Sequence, residues 1–293
     1  MLEGDPHVYT IVTSFKTTFD KGVKDLRDKR LLPVDFDKVS KVELTGPKLN
    51  LTFGSNNGKW VVQSPKDLRV DSGTLDEVVD KLKLATMDPS TSDEDMKKAN
   101  SLFSSGSPVA TVKVTDPSGP QTLQVRKNKD DYYAKTTAMD GVFKVSSEFG
   151  ADINKGTEDF REKWLLDLRE DNPDKVELHV DAKSYLLTRT DADWWSDGKK
   201  MDPMSVEDFL RTVRVLTAAK FAITGFSNPT ISLAVTSNEG KRIEKAQIAK
   251  SGNDYIAKRE DAPQLYEIDG KTIDEMLNAA DALKPAAPPP TKK

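Results

Sequence analysis

Aromatic side chains are the residues of this sequence best suited to hold a ligand, because a flat ring can stack on the apolar face of a sugar. Trp194 and Trp195 are adjacent in a predicted strand, and Trp60 occupies the matching position of an earlier strand. A tryptophan repeated at equivalent positions is typical of a core residue. Trp195 faces the other side of its strand if side chains alternate. We therefore predict a ligand-binding set of Trp195, Tyr132 and Tyr255.

The acidic and histidine residues do not follow a pattern typical of catalysis or metal binding. His7 and His179 are the only histidines and cysteine is absent, which excludes thiol nucleophiles, disulfides and Cys-ligated metals. The acidic run Asp88–Asp95 lacks the spacing of an EF-hand calcium loop. Asp191 and Asp193 lie in a predicted turn, where Asp is common for backbone reasons. We predict no catalytic residue, no metal site and no cofactor, and therefore no enzyme.

The overall composition is that of a polar-surfaced chain with little net charge. The 293 residues include 44 Lys and Arg against 48 Asp and Glu, a formal net charge of −4. This balance argues against a nucleic-acid partner, which usually requires a strongly basic face. No apolar run approaches the roughly 18–20 residues of a membrane helix. The length predicts about two domains of ordinary size.

An internal repeat divides the chain. One constant offset places Leu26–Leu44 over Phe160–Leu178, so that the two K-V-E-L segments and many flanking residues coincide, and the same offset places Trp60 over Trp194. With small changes of offset, Asp131–Lys135 falls over Asp254–Lys258, and Val142–Val145 over Leu265–Ile268. Such self-similarity indicates two copies of one module.

A third, partial copy precedes the two modules, because Val8–Ile11 stands before Leu26 as Val142–Val145 stands before Phe160. We predict residues 1–32 to be the strand and helix of a truncated module, 33–166 the first complete module and 167–283 the second. Residues 284–293 are rich in proline and predicted to be a disordered tail. We expect a longer parent protein whose missing N-terminal part carries a membrane anchor.

Within one module, hydrophobic periodicity predicts three strands, a helix, four strands and a second helix. Asp71 or Ser72 is predicted to cap the helix that ends near Leu84, and Asp202 its counterpart in the second module. Asp93–Phe103 reads as a short helix of the first module alone, and Ser147–Leu166 as a long helix broken at a glycine. We predict an α+β fold of two tandem modules, each of mostly antiparallel sheet with helices on one face.

The order of these motifs resembles that of the DUF4340 family, a family of unknown function. The resemblance rests on Asp25–Leu44, on G-K-W-V-V at Gly58–Val62 and on the strand that ends at Val145, with W-W-S at Trp194–Ser196 in the second module. Asp167-Leu168 departs from the Pro-Val of the first module. The resemblance implies a bacterial protein tethered by one N-terminal helix outside the cytoplasm, encoded near ABC-type export or gliding-motility components. It implies no catalytic residues.

These observations favour a non-enzymatic pair of extracytoplasmic modules that bind a protein partner in the cell envelope. The resemblance implies that ABC transporter subunits are that partner and that the membrane is reached only through the missing anchor. The alternative is a module that binds an envelope polysaccharide through Trp195, Tyr132 and Tyr255.

Overall fold

The fold is α+β, as the sequence predicts, with two antiparallel sheets and helices against them. The computed structural model describes residues 10, 12–22, 28–56, 59–88, 93–168 and 172–287. The predicted strand Val8–Ile11, except Thr10, and residues 288–293 lie outside the described residues. No helix in the described ranges has both the length and the apolar character needed to cross a lipid bilayer.

The strands alternate buried and exposed residues, which is the pattern of sheets with one face on a core. In chain order they are β1 (Lys41–Gly46), β2 (Leu49–Asn56), β3 (Lys59–Ser64), β4 (Ser107–Asp116), β5 (Gly119–Asn128), β6 (Asp131–Thr136), β7 (Phe143–Val145), β8 (Pro173–Val180), β9 (Lys183–Thr190), β10 (Asp193–Ser196), β11 (Lys199–Lys200), β12 (Lys220–Ala222), β13 (Ile231–Ser237), β14 (Arg242–Ser251), β15 (Asp254–Arg259) and β16 (Leu265–Ile268).

Four of the described helices, α2, α4, α5 and α6 below, begin at polar caps, and both predicted caps are confirmed. Asp71 Oδ1 accepts the backbone N–H of Thr74 (3.0 Å), and Asp202 Oδ1 accepts that of Ser205 (2.9 Å), so each carboxylate satisfies a donor that the first helical turn leaves unpaired. The α-helices of the described residues are α1 (Thr13–Phe19), α2 (Ser72–Lys83), α3 (Asp93–Ser105), α4 (Ser147–Ile153), α5 (Pro203–Arg214) and α6 (Gly270–Asp281).

The helix predicted for Ser147–Leu166 is shorter than its pattern suggested. It ends at Ile153, because Asn154 leaves the helical region with φ −84° and ψ 47°. A single 3-10 turn follows at Thr157–Phe160. Leu165 and Leu166 lie in a bend outside any helix or strand and are buried, both in the core of the second unit defined below.

Each sheet is built from hairpins joined by long connections. The hydrogen-bonded order is β3-β2-β1-β4-β5-β6-β7 in the seven-stranded sheet and β11-β10-β9-β8-β13-β14-β15-β16-β12 in the nine-stranded sheet. Strand β12 lies at an edge although β13, the next strand along the chain, lies near the centre. The chain between Ala222 and Ile231 must therefore cross the intervening strands.

The chain divides into two compact units. The first comprises Met1–Pro47 and Val78–Asn154, and the second Lys48–Glu77 and Lys155–Lys293. In the second unit, α5 and α6 bury their apolar faces against one face of the nine-stranded sheet, where Phe209, Ile273 and Tyr266 are fully buried. The other face carries exposed polar residues and Trp195, so in this unit the helices lie on one face. In the first unit they lie on both faces, against the prediction, because α4 packs on Tyr132 and α3 on Tyr133, which point to opposite sides of β6.

Equivalent positions of the two predicted modules form the same hydrogen bonds. In the first unit the N–H of Leu31 donates to the carbonyl of Ala85, and in the second that of Leu165 donates to Leu216. The segments run antiparallel in both cases, with isolated bridges Arg30–Thr86 and Trp164–Thr217. The same hydrogen bond therefore recurs at aligned positions, and Leu31 is part of the fold of the first unit.

Candidate functional site

The three predicted ligand-binding aromatics differ in accessibility. Trp195 lies on β10 opposite Thr188 and Lys200, on the face away from the helices, and is 37% exposed. Its neighbour Trp194 packs against the core, as predicted. Tyr132 and Tyr255 are both buried, and burial raises the pKa of the Tyr255 hydroxyl above its usual value.

The structure does not join these aromatics into one platform. Trp195 on β10 and Tyr255 on β15 are separated by four strands, which corresponds to about 24 Å at the usual strand spacing. Tyr132 belongs to the other sheet, where its ring packs so closely on Gly150 that an added Cβ there would overlap it. The Nζ of Lys127 lies 5.3 Å from the Tyr132 ring centroid. These contacts indicate that Tyr132 packs inside its unit and is not a ligand-binding residue.

The described residues contain no group of three or more His, Asp or Glu side chains that could hold a metal ion. His179 is exposed on β8, and its Nδ1 forms a hydrogen bond with the hydroxyl of Ser184 (2.8 Å). His7 and most of the acidic run after Asp88 lie outside the described residues.

An open groove of about 840 Å³ in the second unit is the candidate site. Sequence reasoning did not single out this site, because its walls come from four separate stretches of chain. The apolar part of its lining includes Ile223, Phe226 and Leu265, and the polar part includes Arg161, Lys258 and Gln264. Ile223 is 95% exposed and so contributes apolar surface to this wall.

The crossover from β12 to β13 forms one wall of the groove. Gly225, with φ +100°, turns the chain so that the position of its missing side chain lies 3.6 Å from both Ile256 and Ser251. A positive φ of this size is strained for any residue with a Cβ. The loop therefore passes over the sheet face that carries Ile256 and buries that side chain, while Leu265 on the neighbouring strand stays only half-buried.

The first unit covers the corresponding surface with a helix. Its crossover is α3, whose Ala99 and Phe103 pack on Tyr133 and Val142, the residues that align with Ile256 and Leu265. The sequence explains the difference between the two copies. Donors on β5 hold the C-terminal carbonyls of α3: Arg126 Nη1 binds Ser104 O (3.1 Å) and Asn128 Nδ2 binds Leu102 O (2.9 Å). The aligned residues of the second copy are Ala249 and Ser251.

Gln264 presents a buried donor in the groove. Arg69 Nη1 donates to the Tyr266 hydroxyl (2.9 Å), which in turn donates to Gln264 Oε1 (3.0 Å). An arginine can only donate, so the hydroxyl hydrogen of Tyr266 remains for Gln264 Oε1, and the Gln264 Nε2 hydrogens lie beyond this bond. Gln264 is 5% exposed, and its Nε2 has no hydrogen-bond acceptor among the described residues.

Arg161 is the second donor of the groove. Its guanidinium lies 4.5 Å from the Phe221 ring centroid, and its Nη1 binds Glu158 Oε2 (2.8 Å). Its Nε is buried and has no acceptor among the described residues.

An ion pair connects the edge strand β12 to β16. Lys220 Nζ lies 2.7 Å from Glu267 Oε1, and the hydrogen bond to Glu267 raises the pKa of Lys220.

A separate cluster of charges lies beside a smaller cavity of about 410 Å³ in the same unit. Arg259 binds Glu244 Oε1 and the Leu165 carbonyl, both at 2.7 Å, and forms a two-bond fork with Asp261. Burial acts to lower the pKa of Arg259, but its bonds to Asp261 and Glu244 outweigh burial and keep that pKa above its usual value. The cations and carboxylates satisfy one another, which indicates a structural role.

Comparison with known proteins identifies a family but no characterised relative. No curated protein and no solved structure is detectably similar to the chain. A family model described as a domain of unknown function, DUF4340, matches residues 60–234. This match covers more than half of the chain, from the β3 tryptophan to the centre of the nine-stranded sheet, and agrees with the resemblance of the motifs. The chain belongs to the DUF4340 family.

Proposed function

We propose that the protein is a non-enzymatic, extracytoplasmic interaction module that binds a protein partner of the cell envelope in the groove of the second unit. The observation that carries this proposal is the internal comparison: the first unit covers the aligned surface with its own helix α3, and the second leaves it as a groove. A segment of the partner would occupy the groove as α3 occupies the first copy.

The surroundings of the groove suit a peptide segment. Ile223 and Phe226 offer apolar surface, and the neighbouring strand β12 is at the edge of its sheet. An edge strand offers backbone donors and acceptors to an added strand, while nearby pockets select its side chains. The extracytoplasmic location and an ABC-type transport assembly as the partner follow from the family resemblance, and are part of the proposal.

A photo-crosslinking amino acid at position 223 tests the proposal. In full-length protein in its native cells, we expect a crosslink from position 223 to one defined segment of an envelope transport subunit. The same amino acid at Met204 is the control, because Met204 is 75% exposed on α5 and does not line the groove. Crosslinks of equal yield from both positions, or no adduct at 223, would contradict the proposal.

A polysaccharide ligand is the second candidate, and the exposure of Trp195 is the observation that favours it. Because Tyr132 and Tyr255 are buried, this candidate depends on Trp195 alone. Under it, Trp195→Ala should abolish binding on an array of envelope glycans while leaving the thermal midpoint nearly unchanged. Trp60→Ala is the matched control for the array, since Trp60 packs edge-on against Phe53. An array without any binding by the unaltered protein would eliminate this candidate.

A further inference from the structure

The groove holds two buried hydrogen-bond donors that have no acceptor within the described part of the chain, and we propose that they form a site for a carboxylate of the partner. The donors are Gln264 Nε2 and Arg161 Nε. The inference rests on the proposed function and refines it: the segment that enters the groove carries an acidic side chain next to apolar ones.

The unpaired donor of Gln264 is the first step. A buried amide N–H without an acceptor is unfavourable, because the desolvation of the donor is not compensated, so native structures rarely keep one. The bond from Tyr266 to Gln264 Oε1 prevents the amide from turning its oxygen towards the groove without losing that bond. An acceptor atom supplied by a ligand removes this cost.

Arg161 indicates that the acceptor is charged. Its guanidinium is held in place by the Phe221 ring and by Glu158, so its Nε–H is already oriented before any ligand arrives. A carboxylate has two acceptor oxygens and forms stronger bonds with a guanidinium than a neutral carbonyl does. The same oxygens can also accept from an amide such as Gln264.

The remaining charges of the lining agree with an acidic ligand. Lys258 has no carboxylate within ion-pair distance among the described residues, and its Nζ lies 6.0 Å from the Phe226 ring centroid. Glu158 is already bound to Arg161, and Asp67 is exposed on the segment after β3. Ile223, Phe226 and Leu265 then receive the apolar neighbours of the acidic residue.

Paired peptides test this site. The probes are labelled hexapeptides with a central Glu flanked by Leu, Phe or Val, and the same peptides with Gln in place of Glu; fluorescence anisotropy gives the dissociation constants. We expect the best Glu peptide to bind at least tenfold more tightly than its Gln counterpart. Gln264→Glu keeps an acceptor for Tyr266 but replaces the donor by a negative charge, so it should remove this preference.

Two further variants keep the test decisive. Arg161→Lys retains the charge but loses the Nε–H, and should weaken the Glu peptide several-fold even if Gln264→Glu folds poorly. Gln124→Glu makes the same charge change at an exposed position of β5 in the first unit and should leave both affinities unchanged. Equal binding of Glu and Gln peptides, or no binding of either, would overturn the carboxylate site. Crosslinking from position 223 separately decides whether the groove binds a protein.

Discussion

Replacing Arg259 with threonine is expected to lower the free energy of unfolding by about 3 kcal/mol, because it leaves a buried carboxylate without its main partner. Arg259 and Glu244 are 3% and 4% exposed, and their closest atoms are 2.7 Å apart. Arg242 Nη2 stays 3.3 Å from the second oxygen of Glu244, which places the loss at the lower end of the usual range. Urea unfolding followed by circular dichroism measures it.

Threonine is the informative replacement because the first copy already has it. Thr136 aligns with Arg259 and donates to the Leu31 carbonyl at 2.7 Å, as Arg259 donates to that of Leu165. Gln121 likewise aligns with Glu244. Adding Glu244→Gln to Arg259→Thr should therefore recover about 1–2 kcal/mol, because the uncompensated charge is gone. A double variant no more stable than the single one would show that the buried charge is not the cause.

The same variant changes how stability depends on pH. The hydrogen bonds from Arg259 lower the pKa of Asp261 below its usual value. A group with a lowered folded-state pKa adds stability above its unfolded-state pKa, and this stability is lost as the pH falls through the folded-state pKa. The difference between the unaltered protein and Arg259→Thr should shrink below about pH 4. Because Asp261 is 63% exposed, solvent screening keeps this part small.

Hydrophobic periodicity predicts most of the helices and strands, but it does not predict the path of the chain between them. Helix α5 was predictable from its Asp202 cap and from the spacing of Val206, Phe209 and Leu210, all of which are buried. The sequence predicts a helix up to Leu166, because leucine is common both in helices and in buried non-helical segments. Its non-helical path is fixed instead by contacts distant in sequence, such as the hydrogen bond from the Leu165 N–H to the Leu216 carbonyl.

The groove was not predictable for a related reason. Arg161 and Gln264 belong to no motif, and each is unremarkable beside its neighbours in sequence. Each side chain has one polar atom that is hydrogen-bonded and a buried donor that has no acceptor among the described residues. Only the three-dimensional arrangement determines this. The repeat did contain one usable signal: α3 is predicted in the first copy alone, so the second copy lacks the helix that covers this surface in the first. The three aromatic residues were predictable candidates because the ability of a ring to stack on a ligand is evident from the residue type. Burial is not evident from residue type, and two of the three are buried.

Replacing Gly270 with alanine is expected to destabilise the second unit by about 3 kcal/mol, the upper end of the usual cost of overpacking. Gly270 is the first residue of α6, and its N–H donates to Asp254 Oδ1 (3.1 Å). An added Cβ would overlap the carbonyl oxygen of Asn253 in the turn between β14 and β15. That oxygen belongs to the backbone, so relief requires moving the turn away from the helix.

Helix propensity alone predicts the opposite sign, because alanine is favoured over glycine in a helix by about 1 kcal/mol. Alignment of the two copies would not reveal the constraint either, since the first copy has Ser147 at this position. Lys271→Ala is the matched control: the neighbouring residue is exposed, and its replacement should change the stability by less than about 0.5 kcal/mol. Thermal unfolding of both variants measures the difference. Gly270→Ala at least as stable as the unaltered protein would show that α6 is free to move away from the β14–β15 turn.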